Sequence, residues 1–444
     1  MHGNDPTTPA TTGVERPRLR LGFMPLTDCA PLVVASEHGL FAAEGLDVTL
    51  VRESSWATLR DKVAYGELDG AQMLAGMPLS MTLGLGPLQS PTVTALSLGL
   101  NGNAITVSTE LYRELSEVDP PGLREAPVSA RPLARLLARR RRAGLPPPVF
   151  AMVYPVSTHN YQLRFWLAAA GIDPDRDLAL RVVPPPQMVE QLRRGTIDGY
   201  CVGEPWNSVA VAQGHGRILV SGYEIWNNSP EKVFGVSLAW AERHPRTHRA
   251  LLRALLRAAQ WLDTGAGRAA VAGLLADDRY VGVDALLLHQ ALNGRLRYGP
   301  GEQVMELPDF HVFSRYAANY PWRSHAVWLL TQMVRWGQLR DAVDLHAVAA
   351  AVYRPELYRE VTAGLGWECP GGDFKHEGEH AGAWGGERPA FGADRFCDGS
   401  VFDPMTPSVY VAAQPVRRAD DDLLHRLAAS QRPSAPGGSV SPGC

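Results

Sequence analysis

Five short stretches of this chain carry side chains suited to holding a small anion. Trp56 lies in Ser54-Ser55-Trp56-Ala57-Thr58, just ahead of a helical segment, and Asn103 lies in Asn101-Gly102-Asn103, after the apolar run Val93 to Leu100. Thr158-His159 opens a helical segment that Gly171 ends, and Gly203-Glu204-Pro205-Trp206 follows an apolar strand signal, Gly199 to Val202. Pro230-Glu231-Lys232 precedes another strand signal, Val233 to Leu238. An indole offers a flat wall and one N–H donor. A helix N-terminus favours an anion and also a neutral imidazole, which still donates one hydrogen bond. A lysine supplies a compact countercharge. Singly, each has a plainer reading: Trp56 as core packing, His159 as a polar group of a first helical turn, Lys232 as surface. Together, at loop positions of two units, they read as a site for a small planar anion.

Catalytic signatures are missing. The chain has no G-x-x-x-x-G-K-[ST], no H-E-x-x-H and no G-x-S-x-G. Gly84 and Gly86 are followed at once by Pro87, which spoils a dinucleotide loop. His376-Glu377-Gly378-Glu379-His380 has the i, i+4 histidine pair of a helical metal site. Gly371, Gly372, Gly378 and Gly382 make a solvated loop the better reading. The five cysteines (29, 201, 369, 397, 444) form no C-x-x-C pair, so neither a disulfide framework nor a zinc ribbon is expected. The sequence predicts no catalytic residue, no metal and no cofactor.

The elements that must position these residues alternate. Leu19–Met24 reads as a strand, Pro31–Phe41 as a helix, Leu46–Val51 as a strand, Thr58–Tyr65 as a helix and Leu68–Met73 as a strand. This alternation predicts an α/β fold with mostly parallel sheets, whose ligands sit beyond the carboxyl ends of the strands. A faint repeat supports two units of one design. LRDKVAYGELDG at 59–70 and VEQLRRGTIDG at 189–199 each give a helical turn, then Gly-x-apolar-Asp-Gly and a short strand, with Pro78 or Pro205 beyond. From His248 to about Val361 the apolar spacing is helical. Arg139-Arg140-Arg141-Arg142 ends a basic helix; without interleaved aromatics it reads as a solvated face rather than a nucleic-acid site.

Composition sets the outer bounds. The 444 residues are 45% hydrophobic with a formal net charge of −3, which excludes a disordered chain and a globally basic nucleic-acid binder. Three lysines (62, 232, 375) stand against forty arginines, so a retained lysine is informative. Met1–Arg20 has no apolar core of the kind an export signal needs, and no stretch reaches the roughly 18–20 apolar residues of a membrane span. A cytoplasmic location is expected; periplasmic or membrane-associated is the alternative if a leader precedes this start.

Several long stretches resemble one family. LGFMPLTDCAPLVVASEHGLFAAEGLDVTLVRESSWATLRDK, GELDGAQMLAGMPLSMTLGLG, LNGNAITVS, STHNYQLRFWLAAAGIDPDRDL, DGYCVGEPWN and SPEKVFGVSLAW are similar to the nitrate- and bicarbonate-binding proteins of bacterial ABC transporters. The similarity runs from about Leu19 to Val416. It implies a bilobed periplasmic-binding-protein fold of type II. The expected boundaries are a disordered 1–17, a first lobe of 18–105 plus 215–416 with helices at its C-terminal part, a second lobe of 106–214, and a disordered tail at 417–444. The nitrate binders of this family use a tryptophan, an amide, a histidine, a main-chain glycine region and a lysine. By motif these fall on Trp56, Asn103, His159, Gly203 and Lys232. Asn103 departs from the family's longer glutamine, and a water can fill the gap. The bicarbonate branch replaces the lysine with a carboxylate and a calcium ion, so Lys232 favours nitrate or nitrite.

The family also has a leaderless cytoplasmic branch that senses nitrate or nitrite and holds an RNA-binding antiterminator inactive until the anion arrives. FDPMTPSVYVAAQPVRR resembles that branch too. The resemblance therefore implies a sensor of nitrate assimilation with an antiterminator partner and no direct nucleic-acid contact. The alternative is the solute-binding subunit of a nitrate ABC transporter, with a permease partner. An enzyme on the same fold, like the pyrimidine-precursor synthases of thiamine metabolism, ranks below both, because only Cys201 and His159 are plausibly placed for chemistry.

Overall fold

The structure is a computed structural model that describes residues 13–385 and 390–431. Thirteen strands are present among them: β1 Arg18–Phe23, β2 Asp47–Arg52, β3 Gly70–Leu74, β4 Thr92–Asn101, β5 Asn103–Ser108, β6 Val149–Met152, β7 Ala179–Val182, β8 Gly199–Gly203, β9 Gly216–Ser221, β10 Pro230–Ser237, β11 Arg295–Arg297, β12 Val304–Glu306 and β13 His311–Val312. One sheet has the order β13-β4-β10-β3-β1-β2 and a second the order β7-β6-β8-β5-β9; β11 and β12 form a separate hairpin. The α/β architecture of two sheets flanked by helices matches the sequence reading. The sheets are mixed rather than mostly parallel. β1 pairs in parallel with β2 and β3, and β6 with β7 and β8. The long strands that carry the chain between the sheets, β4–β5 and β9–β10, add on antiparallel.

The sequence repeat is a structural one. Each copy is a helix, a left-handed glycine (Gly66 at φ 75°, Gly195 at φ 67°), an aspartate, and the strand β3 or β8. Each aspartate clamps the neighbouring parallel strand in the same way. Asp69 donates its N–H to the Arg20 carbonyl at 2.9 Å, and its carboxylate accepts the Arg20 N–H at 2.9 Å. Asp198 donates to the Val149 carbonyl at 2.7 Å and accepts the Val149 N–H at 2.7 Å. Two backbone groups on each of the inner strands β1 and β6 are thereby paired.

Several expected boundaries shift. β5 begins at Asn103, and β9, placed by sequence in the first lobe, pairs with β5 in the second sheet. The second sheet therefore spans 103–221. Glu231 and Lys232 lie within β10 rather than ahead of it. Residues 13–17 are tied down: Glu15 accepts the N–H groups of Arg246 at 3.0 Å and Thr247 at 2.8 Å, capping the helix Pro245–Leu262. The tail is partly ordered. Asp421–Ser430 is a helix that Asp420 caps, with Leu423, Leu424 and Leu427 buried. The remaining disorder expectations, at 1–12 and 432–444, lie outside the described residues.

The helical C-terminal part touches both sheets. Helix Arg323–Arg335 is buried from Ser324 to Arg335. Trp328 meets Tyr161 of the second unit edge-on at 6.3 Å, and the Tyr353 hydroxyl donates to the Ala75 carbonyl of the first unit at 2.8 Å. Beyond it, Arg418 pairs with Asp173 and Asp175 of the second unit. The His376–His380 stretch is not helical, as expected, but it is not fully solvated: Glu377 is buried and pairs with Lys375. No helix among the described residues is long and apolar enough to cross a membrane.

Asp69 also accepts from the Trp240 indole at 3.0 Å and is only 5% exposed. Asp69→Ala leaves the buried Trp240 indole and the Arg20 N–H without their acceptor and is expected to destabilise the fold by about 2–3 kcal/mol in urea unfolding. A loss below about 0.5 kcal/mol would show that the clamp carries no stability.

Candidate anion-binding site

The site forms where the two sheets face each other, at strand ends and the helices that follow. Ser55 ends the extended segment after β2, and its hydroxyl accepts the Thr58 N–H at 3.1 Å; Trp56 is the first residue of the helix so capped, Trp56–Ala64. Ser157 does the same for helix Thr158–Ala168 by accepting the Asn160 N–H at 3.1 Å, which fixes His159 in the first turn. Asn101 and Gly102, at φ 62° and 91°, turn the chain from the first sheet into the second and deliver Asn103. Asn103 is in register with Gly203 at the end of β8. Lys232 sits on β10 opposite Leu74 and Gly99, where the β10–β4 register slips.

These five residues converge. Trp56 and Lys232 are 1% exposed and Asn103 and His159 are 0% exposed. The Lys232 ammonium lies 5.6 Å from the centre of the Trp56 ring. It makes ion pairs with Glu231 Oε1 at 2.6 Å and Asp28 Oδ2 at 2.7 Å. Glu231 Oε1 is 3.2 Å from His159 Nε2, and its Oε2 accepts from Asn103 Nδ2 at 2.9 Å. A Cβ on Gly203 would lie 3.5 Å from His159 Nε2 and 3.6 Å from Asp28 Oδ2, so the glycine brings bare backbone to the same spot. Trp56 Nε1, Asn103 Oδ1 and both His159 ring nitrogens are buried with no hydrogen-bond partner among the described residues. Buried polar atoms are rarely left so.

Three of the site's groups were missed by sequence reasoning. Asp28 lies on the 3₁₀ turn Thr27–Cys29 just past β1, a strand end of the kind that lines such clefts. Gln72 on β3 donates to the second oxygen of Asp28 and accepts the Met24 N–H at 2.8 Å, holding that carboxylate in place. Glu231 stood beside Lys232 in the motif, yet its central place is a matter of β10 register and has no sequence signal.

Electrostatics follow from burial. Desolvation, helped by the nearby Lys232 charge, holds the His159 pKa well below its ordinary value, so its ring is neutral and can donate one hydrogen bond. Desolvation pushes Glu231 up to about 7, against the pull of Lys232 and with the push of Asp28. Lys232 is held above its ordinary value by Asp28 and Glu231, which outweigh its burial. The Cys201 thiol, buried on β8, is pushed up by burial and by Glu231, which makes it a poor nucleophile. Among the described residues no group of three or more His, Cys, Asp or Glu is arranged to hold a metal. The arrangement can bind a small planar group through several donors at once.

Comparison with known proteins bears on the fold and the family. The chain is 40% identical over 412 residues to the nitrate import ATP-binding protein NrtC of Synechocystis sp. PCC 6803, covering 91% of this chain and 56% of that protein. It is 41% identical over 366 residues to the bicarbonate transport ATP-binding protein CmpC of the same organism, covering 82% of this chain and 52% of that protein. The chain thus spans about half the length of these curated relatives. The crystal structure of the periplasmic nitrate-binding protein NrtA from Synechocystis PCC 6803 superposes with a TM-score of 0.80 at 30% identity, over 90% of this chain and 99% of that one. That match fixes the periplasmic-binding-protein-like fold. The model of the NMT1-like family matches residues 12–276, more than half of the sequence, and the chain belongs to that family.

Proposed function

We propose that the chain binds nitrate or nitrite between its two sheets, which act as two lobes that close on the anion. The observation that carries this reading is the convergence of a neutral imidazole, an indole N–H and a lysine ammonium on one dry spot. In a water-excluded site each such donor is worth more than in water. Trp56, Asn103, His159, Gly203 and Lys232 are the contacts in this reading. Lys232 favours nitrate or nitrite over bicarbonate, because it supplies the charge that a bicarbonate site takes from a metal. The similarity to NrtA and NrtC, named for nitrate, supports the same choice, and CmpC makes bicarbonate the competitor to test.

Two roles fit a lobe that closes on an anion. The resemblance of FDPMTPSVYVAAQPVRR to the sensor branch supports control of an antiterminator of nitrate-assimilation genes. The transport names of the relatives support the solute-recognition part of an ABC importer. In both, the anion biases a two-state element that a partner reads, and no reaction is catalysed. Co-purification of the chain with an RNA-binding antiterminator that nitrate releases would select sensing. Nitrate-dependent stimulation of a cognate transport ATPase would select import.

Calorimetric titration with nitrate, nitrite, and bicarbonate with and without calcium tests the ligand. Nitrate or nitrite is expected to bind, and bicarbonate binding alone would overturn the reading. Lys232→Ala removes the countercharge and strands two carboxylates. A charge-assisted hydrogen bond is worth roughly 1.5–3 kcal/mol, so affinity should fall about ten- to hundredfold. Unchanged affinity would sink the assignment of Lys232.

Closure has its own test. A Cβ on Gly76, at the end of β3, would lie 2.3 Å from the Val156 carbonyl oxygen of the opposite unit. Gly76→Ala is therefore expected to keep a native circular-dichroism spectrum while weakening anion binding. Native affinity in that variant would mean the two backbones need not meet.

A further inference from the structure

Glu231 occupies an unusual position for a carboxylate. It is itself a planar anion with two oxygens, and it lies among the donors assigned to the ligand. One oxygen takes Lys232 at 2.6 Å and approaches His159 at 3.2 Å; the other takes Asn103 at 2.9 Å. Its side chain is 2% exposed, so no water-filled margin separates it from those partners.

The charges facing it make that position costly to share. Lys232 comes from its own strand, Asp28 from the turn after β1, His159 from helix Thr158–Ala168 and Cys201 from β8. His159 and Cys201 are neutral, so one ammonium stands against two carboxylates before any ligand arrives. Adding an anion to that set with Glu231 ionised would place a third negative charge beside a single positive one in a dry site. Burial of charge in such unbalanced sets is strongly unfavourable. Asp28 is held by both Lys232 and Gln72. Glu231 has no comparable clamp outside the anion's own donors.

We propose that Glu231 is the chain's built-in competitor for the anion: its ionised carboxylate holds the donors of the empty site, and the ligand enters together with one proton that neutralises it. Neutral Glu231 changes from acceptor to donor, so it can turn from Lys232 and point its hydroxyl at the incoming oxygen. The proton comes from solvent and leaves when the anion does. This makes Glu231 an affinity-setting residue, and it rests on the reading of the site as one for nitrate or nitrite. Its tendency to bind a proton near neutrality, at about 7, agrees with such a role.

The test uses the full chain and sodium nitrate, titrated calorimetrically from pH 6 to pH 9. For the native chain the affinity is expected to fall roughly tenfold from pH 6 to pH 8 as the empty site's Glu231 ionises. Glu231→Gln should bind nitrate more tightly at pH 8, by a similar factor, with a flat pH profile. A second measurement needs no variant: at pH 8 the binding enthalpy should depend on the buffer's ionisation heat with a slope near one proton taken up. A pH-independent native affinity with zero proton uptake would overturn the proposal. A folded Glu231→Gln that binds as the native chain does, or more weakly at pH 8, would overturn it too. Failure of the native chain to bind nitrate or nitrite at any pH would instead overturn the reading of the site on which the proposal stands.

Discussion

A lysine ammonium buried between two carboxylates is the constraint around which the junction of this molecule is built. Lys232 is 1% exposed, and a lone charge there would be untenable. Asp28 and Glu231 make it tenable, but only when β1, β3, β8 and β10 hold their registers together with the helices behind Trp56 and His159. The same triad ties the sheets to each other, because Glu231 on the first sheet accepts from Asn103 on the second. Electrostatics and architecture are therefore one problem here. A slip of a single residue in β10 would turn Lys232 to the other face of the sheet and leave Asp28 without its cation.

Much of this was legible in the chain. The stretches at Trp56 and at Thr158-His159 read as helix starts, and in the structure the serine ahead of each caps the helix. The Gly-x-apolar-Asp-Gly repeat marked two equivalent strand clamps, because the same local chemistry is needed wherever a strand starts beside a parallel neighbour. The scarcity of lysine was also informative. Each of the three lysines pairs with a buried carboxylate: Lys62 with Glu53, Lys232 with Glu231, and Lys375 with Glu377. A strongly hydrated point charge survives here where it has a fitted partner, while arginine serves both the surface and buried positions such as Arg164, Arg268 and Arg335.

What the chain did not disclose was long-range. Asp28 is 204 residues from its lysine, and nothing local in Pro25-Leu26-Thr27-Asp28 announces an ion pair. The antiparallel edges of both sheets arise from crossovers between units, a property of topology and not of strand composition. The residues after Val416 look polar and low in order, yet Leu423, Leu424 and Leu427 find an apolar surface that exists only once the helical part has folded. The amide at Asn103 reads as too short for a direct ligand contact; in the fold it reaches Glu231, a partner that the motif carried but did not place.

The C-terminal segment has a mechanical meaning. It rests on the first unit through Tyr353 and reaches the second through Trp328 and the pairing of Arg418 with Asp173 and Asp175. Two lobes joined only by strand crossovers can gape freely, like covers on a spine. Here a brace spans the covers and docks at Ala75, beside the close approach of Gly76 to Val156. In the proposed closure such a brace limits rotation, so the lobes would part by only as much as the brace can stretch or shift. Any protein that grips the brace would gain leverage over that angle without touching the pocket.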